Sequence, residues 1–270
     1  MQIDFIADKG TRNEDTFVVN AKRGLFAVFD GASSLVPYRD SLGRTGAKIA
    51  ADIAHDTFIS SSDDLLATAL QVNQRIDLAH RVADIDTSTP VNRFATTVAA
   101  AQFHDKTIDI LQNADSLAIV EFLDGSVSVP LGYNDQDLEI MRKWRTLADK
   151  GETNIRPLVQ KDVEALRNNS NKTFGVLNGD QRAAEWLKTM QVERSRVRSI
   201  LLITDGLLLP KPDPDAQEDW SLYISVCKKS GLKGLLDMVR KTEDSDPNLT
   251  TYPRYKIHDD ATGIFVQLTT

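Results

Sequence analysis

The sequence predicts an α+β fold built on antiparallel sheets. Strand-like runs are grouped with other strand-like runs, and helical segments arrive in pairs, an order that a βαβ alternation does not produce. With 270 residues, 41% of them apolar, the chain can bury a sizeable core in one large domain, and we read residues 1–270 as that single domain.

The elements follow in order. Ile3-Asp4-Phe5-Ile6, Thr16-Phe17-Val18-Val19 and Leu25-Phe26-Ala27-Val28-Phe29 are short apolar or alternating runs separated by Asp8-Lys9-Gly10 and by residues 20–24. This spacing predicts an antiparallel meander. From Leu42 to Phe58 the apolar residues Ala47, Ile49, Ala50, Ile53 and Ala54 recur at helical spacing, and a second helix is expected over Asp63–Val82 after the cap-like Ser60-Ser61-Ser62. Strands are expected again at Phe94–Phe103, Thr107–Gln112 and Leu117–Phe122, with a turn at Gly125. Residues 134–171 are polar, with helices expected at Asp137–Ala148 and Lys161–Arg167; they read as a flap or insertion over the core. Further strands are expected at Lys172–Val176 and Ser199–Thr204. A Pro/Asp-rich loop, Pro210–Pro214, then leads to helices at Gln217–Lys229 and Leu232–Lys241, and a last strand at Thr262–Leu268.

The net charge of -7 excludes a general affinity for nucleic acid or anionic membranes, which needs a basic surface. Cys227 is the only cysteine, so neither an internal disulfide nor a cysteine-rich zinc site is possible. Met1-Gln2-Ile3-Asp4 lacks a basic stretch followed by an apolar one, so a secretory signal is not expected, and no apolar run approaches the ~20 residues that span a bilayer. A cytoplasmic protein is the expectation. Neither Gly-x-x-x-x-Gly-Lys nor Gly-x-Gly-x-x-Gly occurs, so nucleotide binding has no support.

The informative pattern is where acidic residues fall relative to the strands. Glu14-Asp15 stands before Thr16–Val19, Asp30-Gly31 follows Phe26–Phe29, and Asp115 lies between two strand-like runs. Asp205-Gly206 follows Leu201–Thr204, and Asp259-Asp260 precedes Thr262–Val266. Taken singly, each has an ordinary explanation: Asp-Gly after a strand is commonly a hairpin turn, and the others would be solvated edges or loops. Taken together they place carboxylates on rigid strand ends, able to converge on one rim of a sheet. Such a group repels itself unless a cation neutralises it, and Mg²⁺ or Mn²⁺ with oxygen ligands serves that purpose. The four histidines are not spaced as a zinc site; His55 and His80 read as ordinary helix residues, while His258 adjoins Asp259.

Seven pieces in this order resemble the metal-dependent serine/threonine protein phosphatases of type 2C. They are Arg12-Asn13-Glu14-Asp15, Phe26–Gly31, Ala95–Ala99, Ala114-Asp115-Ser116, Thr173-Phe174-Gly175, Leu201–Leu207 and Asp259–Thr262. The resemblance implies a four-layer α/β/β/α sandwich of two antiparallel sheets flanked by helices. It also implies hydrolysis of phosphoserine and phosphothreonine on proteins by water activated between two Mn²⁺ or Mg²⁺ ions. By the family pattern Asp30 bridges both ions, the Gly31 carbonyl binds one, and Asp205 and Asp259 hold the other. Glu14 acts through water, Asp15 orients bound waters, and Asp115 with Asp205 matches a third, looser metal position. Arg12 grips the substrate phosphate, with Arg44 and Arg93 as alternatives because the Gly10–Arg12–Glu14 spacing is short. The implied partners are a phosphoprotein substrate and a cognate serine/threonine kinase. A non-catalytic binding module of the same fold, or a phosphatase of small phosphoesters, are the competing readings. Two departures stand out: Ala114 replaces a glycine, and Ala32-Ser33-Ser34 follows Gly31 where many members carry a histidine acid.

Overall fold

The structure, a computed structural model, describes residues 1–32, 35 and 37–268. Ser33 and Ser34, at the place of the missing histidine, lie outside them. Within the described residues two five-stranded antiparallel sheets stack face to face. The first has the order β1 (Gln2–Asp8), β12 (Ala261–Gln267), β11 (Val197–Ile203), β8 (Leu117–Phe122) and β9 (Val127–Ser128). The second has the order β10 (Lys188–Glu193), β7 (Thr107–Asn113), β6 (Val98–Phe103), β3 (Leu25–Phe29) and β2 (Thr16–Asn20). A short pair, β4 (Gly31–Ala32) and β5 (Ala95–Thr96), extends past the end of β3.

The continuous apolar runs follow from burial on both faces. In β3, Phe26 and Val28 point into the layer between the sheets, where they meet Ile110, Val120, Leu202 and Ile264. Leu25, Ala27 and Phe29 point the other way, under α1 (Gly46–Ser60) and α2 (Leu65–Val82). Ile119, Leu201, Ile203 and Phe265 do the same on the opposite sheet, under α5 (Trp220–Asp244). The layers are therefore helix, sheet, sheet, helix. Residues 138–168 carry α3 (Leu138–Asp149) and α4 (Gln160–Asn168) around a small cluster of their own, Ile140, Trp144, Ile155, Val159 and Val163. It leans on the 249–255 loop, where Trp144 donates its indole N–H to the carbonyl of Leu249 at 2.7 Å.

Several expectations need correction. The first three strands are not one meander: β1 pairs with β12, and only β2 and β3 form a hairpin. The chain between β1 and β2 crosses from one sheet to the other. The run expected as one strand at 94–103 is interrupted at Thr97, because β5 pairs with β4 whereas β6 pairs with β3 and β7. Residues 172–176 make one isolated bridge, from Phe174 to Ser170, rather than a strand, since Asn171 turns with a positive φ and its carboxamide accepts from Val176 N–H. The edge strand β10 was not expected; its side chains are mostly exposed and carry no strong apolar alternation. Helix α1 starts at Gly46, capped by Thr45, and α2 is capped by Asp64 rather than by the serines before it. The two helices expected at 217–241 form one element kinked at Gly231, where φ is 69°. Among the described residues no helix is long and apolar enough to cross a membrane.

Candidate metal centre and its cavity

Each strand-end carboxylate is held by the element beside it. Asp30 ends β3, and its carbonyl accepts from the Thr97 N–H at 2.9 Å and the Thr96 hydroxyl at 2.8 Å. Asp205 follows β11 after Thr204, Asp259 comes just before β12, Asp115 sits in the β7–β8 turn, and Asp15 directly precedes β2. All of these strand ends lie at one end of the sandwich. Asp30, Gly31, Asp115, Asp205 and Asp259 line one cavity of about 380 Å³, together with Arg12 and Lys256.

Backbone packing closes the rim. A Cβ at Gly10 would stand 2.3 Å from the Asp259 carbonyl carbon, and one at Gly206 would stand 1.9 Å from the Asp260 oxygen. At Gly31 a Cβ would meet the carbonyl oxygens of Glu14 at 2.7 Å and Ala47 at 2.8 Å. Only glycine lets these loops approach so closely. Asp260, 4% exposed, then ties them: its carboxylate accepts the N–H of Gly10 and of Asn13, each at 2.8 Å, and of Glu14 at 2.5 Å. Glu14 is itself buried, and it accepts a 2.6 Å bond from the hydroxyl of Thr45, the α1 cap.

The electrostatics reflect the crowding. Burial pushes Asp30 well above the usual carboxylate range, and the charges of Asp15, Asp115 and Asp259 push it further. Asp205 is raised by burial and then by Asp30, Asp259 and Asp115. Burial lifts Asp15 to about 8, with Asp205 and Asp259 adding to it while a 2.8 Å hydrogen bond from Thr204 opposes. Asp115 rises to about 7 through burial and the charge of Asp137, against the pull of Arg167. Asp15 Oδ1 and Asp115 Oδ1 are buried with no hydrogen-bond partner. Lys256 offsets part of this charge. Its ammonium meets Asp259 Oδ1 at 2.5 Å, and the attraction of Asp259, Asp30 and Asp205 outweighs burial and raises its pKa.

Crowded carboxylates with unpartnered oxygens are the donor set a hard divalent cation takes. Among the described residues, however, no three acidic, histidine or cysteine side chains gather closely enough to ligate one ion alone. An ion here would take one or two carboxylates, complete its shell with water and the Gly31 carbonyl, and so suits Mg²⁺ or Mn²⁺.

Comparison with known proteins decides the family. The model described as protein phosphatase 2C matches residues 6–240. The chain belongs to that family. No curated protein matches it by sequence. Among solved structures, it is similar in fold to the serine/threonine phosphatase PstP/Ppp of Mycobacterium tuberculosis, with 17% identity, a TM-score of 0.60, and 100% and 99% of the two chains covered. Phosphatase Stp1 of Staphylococcus aureus is also similar, with 16% identity, a TM-score of 0.58, and 100% and 95% covered. A catalytic domain of PstP described in complex with two manganese ions matches at 16% identity and a TM-score of 0.58, with 100% and 98% covered. The four-layer sandwich is thus the protein phosphatase 2C fold.

Within that fold the expected residues are distributed unevenly. Asp30, Gly31, Asp115, Asp205, Asp259 and Arg12 share the cavity; Asp15 lies close enough for its charge to push the pKa of Asp30 up, and Glu14 is turned towards Thr45. The alternative arginines are engaged elsewhere: Arg44 pairs with Asp40 and Asp52, and Arg93 donates to the carbonyls of Thr87 and Asn178. His258 does not face the cavity; it pairs with Asp244 at the surface, at 2.8 Å. His55 is a surface residue beside Asp56, and His80 is in the core, accepting the Phe94 N–H at 2.8 Å. Sequence reading missed Asp260 as a tie, Lys256 as a counter-charge, and the side chains of α3–α4 that wall the cavity: Arg156, Gln160, Val163 and Arg167. Of these, only the spacing of Gln160, Val163 and Arg167 on one face of α4 was a signal available in advance.

Proposed function

We propose that the chain is a protein serine/threonine phosphatase that hydrolyses phosphoserine and phosphothreonine using water at a two-ion centre. The observation that carries this reading is the convergence of Asp30, Asp115, Asp205 and Asp259 with Arg12 on one cavity. Bound Mn²⁺ or Mg²⁺ would acidify water and offset charge on the phosphoryl oxygens. In this reading Asp30, the Gly31 carbonyl, Asp205 and Asp259 hold the two ions, and Asp115 contributes to a third, looser position. Asp15, fixed by Thr204, orients water at the centre, and Glu14 reaches it only through water. Arg12 presents its guanidinium fork to two phosphate oxygens, which positions phosphorus for in-line attack. With His258 turned away, the leaving oxygen takes its proton from water. A phosphoprotein is the substrate and a cognate serine/threonine kinase its counterpart, in the cytoplasm.

One contact favours a second reading. Lys256 already pairs with Asp259, which would suit a non-catalytic binding or regulatory module in which a lysine supplies the positive charge. A single assay separates the readings: hydrolysis of an aryl phosphate and of a phosphopeptide with Mn²⁺, with Mg²⁺ and with chelator. Metal-dependent release of phosphate from the phosphopeptide is the expected result. Release from the aryl phosphate alone points to small phosphoesters, and release from neither removes both hydrolytic readings and leaves the non-catalytic module.

A further inference from the structure

Arg156 occupies an unusual position for a cation. It opens the turn Arg156–Val159 between α3 and α4, and its backbone is fixed on both sides because Ile155 and Val159 are buried in the small cluster of that segment. Its guanidinium lies over the Tyr255 ring, 4.9 Å from the centroid. Tyr255 is in turn anchored, donating its hydroxyl hydrogen to Asp137 Oδ1 at 2.7 Å. The side chain is therefore aimed rather than loose. Yet Nη1 is buried and has no hydrogen-bond partner. A buried donor left unpaired costs about 1–3 kcal/mol, and more on a charged group. Arg44 and Arg93, by contrast, are engaged with protein acceptors.

The cavity that Arg156 walls is the one that holds Arg12, Asp30, Asp205 and Asp259. Arg167 joins it from α4, on the same face as Gln160 and Val163. Arg12 comes from the loop before β2, whereas Arg156 and Arg167 come from the α3–α4 segment. Cations from two independent elements thus border one cavity of about 380 Å³. A planar guanidinium on a cavity wall suits a tetrahedral oxyanion, because its fork can reach two of the oxygens at once.

We propose that Arg156, seconded by Arg167, grips the substrate's phosphoryl group from the α3–α4 side while Arg12 grips it from the rim. The site then selects a phosphoryl dianion with cations on two walls, and the α3–α4 segment is part of the substrate site rather than a cover over it. This rests on the phosphatase reading above for its substrate, but phosphate binding itself needs no turnover.

The test is titration of inorganic phosphate into the Mn²⁺-loaded protein by calorimetry, comparing wild type with Arg156→Ala, Arg156→Gln and Arg167→Ala. Melting temperature and Mn²⁺ affinity are measured alongside. Loss of a charge-assisted bond should weaken phosphate binding about tenfold in either neutral Arg156 variant, and less in Arg167→Ala, with Mn²⁺ affinity unchanged. KM for a phosphopeptide should rise by a similar factor, and kcat should change by less. If neither neutral variant folds, Arg156→Lys carries the test, and a loss of about threefold is required because an ammonium cannot make the fork. Phosphate affinity equal to wild type in any folded Arg156 variant would overturn the proposal, as would a wild type that binds no phosphate. A wild type that binds phosphate in an Arg156-dependent way but hydrolyses nothing would sink the phosphatase reading and leave this one standing.

Discussion

Asp260 and Glu14 lie 246 residues apart in the chain, yet the Asp260 carboxylate accepts the Glu14 N–H at 2.5 Å. The same carboxylate takes the N–H groups of Gly10 and Asn13. One side chain therefore fixes the loop that carries Arg12, Glu14 and Asp15 to the segment just before β12, which carries Asp259.

Replacing that acceptor should destabilise the fold. In Asp260→Ala three donors lose their partner at once; at about 1–3 kcal/mol per buried donor, and with incomplete additivity, a loss of roughly 3 kcal/mol is expected. Urea denaturation measures it. A loss below about 1 kcal/mol would mean that water replaces the carboxylate freely.

The carboxylates of the centre should behave in the opposite way. Burial first, and then mutual repulsion, raises Asp30 and Asp205. In chelator at neutral pH, Asp30→Asn and Asp205→Asn should therefore melt higher than wild type. Added Mn²⁺ should stabilise wild type, by about 2.7 kcal/mol at a hundredfold excess over Kd, and these variants much less. Their kcat, and that of Asp259→Asn, should fall below about a tenth of wild type, a change of ~1.4 kcal/mol or more. Retained activity in any one of them removes that residue from the ligand set.

Asp115 accepts from the Gln136 carboxamide at 2.7 Å and stands beside the centre. Asp115→Ala should leave a folded protein that still binds two Mn²⁺ ions in calorimetry but turns over more slowly. Loss of both tight sites would instead make Asp115 a ligand of the core pair.

His80 supplies a pH dependence of stability. Burial, and then the charge of Arg93, lowers its pKa to about 4. A histidine neutral in the fold binds its proton more readily when unfolded, near pH 6.5. Its contribution is therefore fully present above about pH 6.5 and is lost as pH falls from there towards 4. Urea midpoints across pH 4–8 should show this slope in wild type and a shallower one in His80→Leu, which is also less stable because the Phe94 N–H loses its acceptor. Equal slopes would contradict the assignment.

The surface pair of His258 with Asp244 predicts a null effect on proton donation. Across a series of aryl phosphates, the rate should fall as leaving-group pKa rises, since among the described residues no histidine lines the cavity to act as a general acid worth 10²–10⁴-fold. His258→Ala should keep the same slope. A slope that steepens only in the variant would identify His258 as the donor.

Much of the site was legible because its signals are local. A carboxylate directly before or after an apolar run of five or six residues must sit at a strand end, whatever the strand pairs with. Asp30, Asp205 and Asp259 were found in this way, and the order of the motifs pointed to the family. The assignment of β1 to a meander failed because Gln2–Asp8 carries no information about its partner; Ala261–Gln267, its actual neighbour, lies at the other end of the chain. Strand β10 was missed because an exposed edge strand needs no apolar alternation.

The sequence by itself determined the layered α+β fold and the strand-end carboxylates, since periodicity and burial on both faces are written into each short segment. Tertiary structure alone decided which loops touch and what their charges meet. Asp260 became a tie rather than a ligand, Lys256 a partner of Asp259, and Arg156 a cation on the cavity wall. These roles depend on atoms a few ångströms apart in space but up to some 250 residues apart in the chain. Hydrogen bonds and Coulomb attraction act over the first distance and are blind to the second.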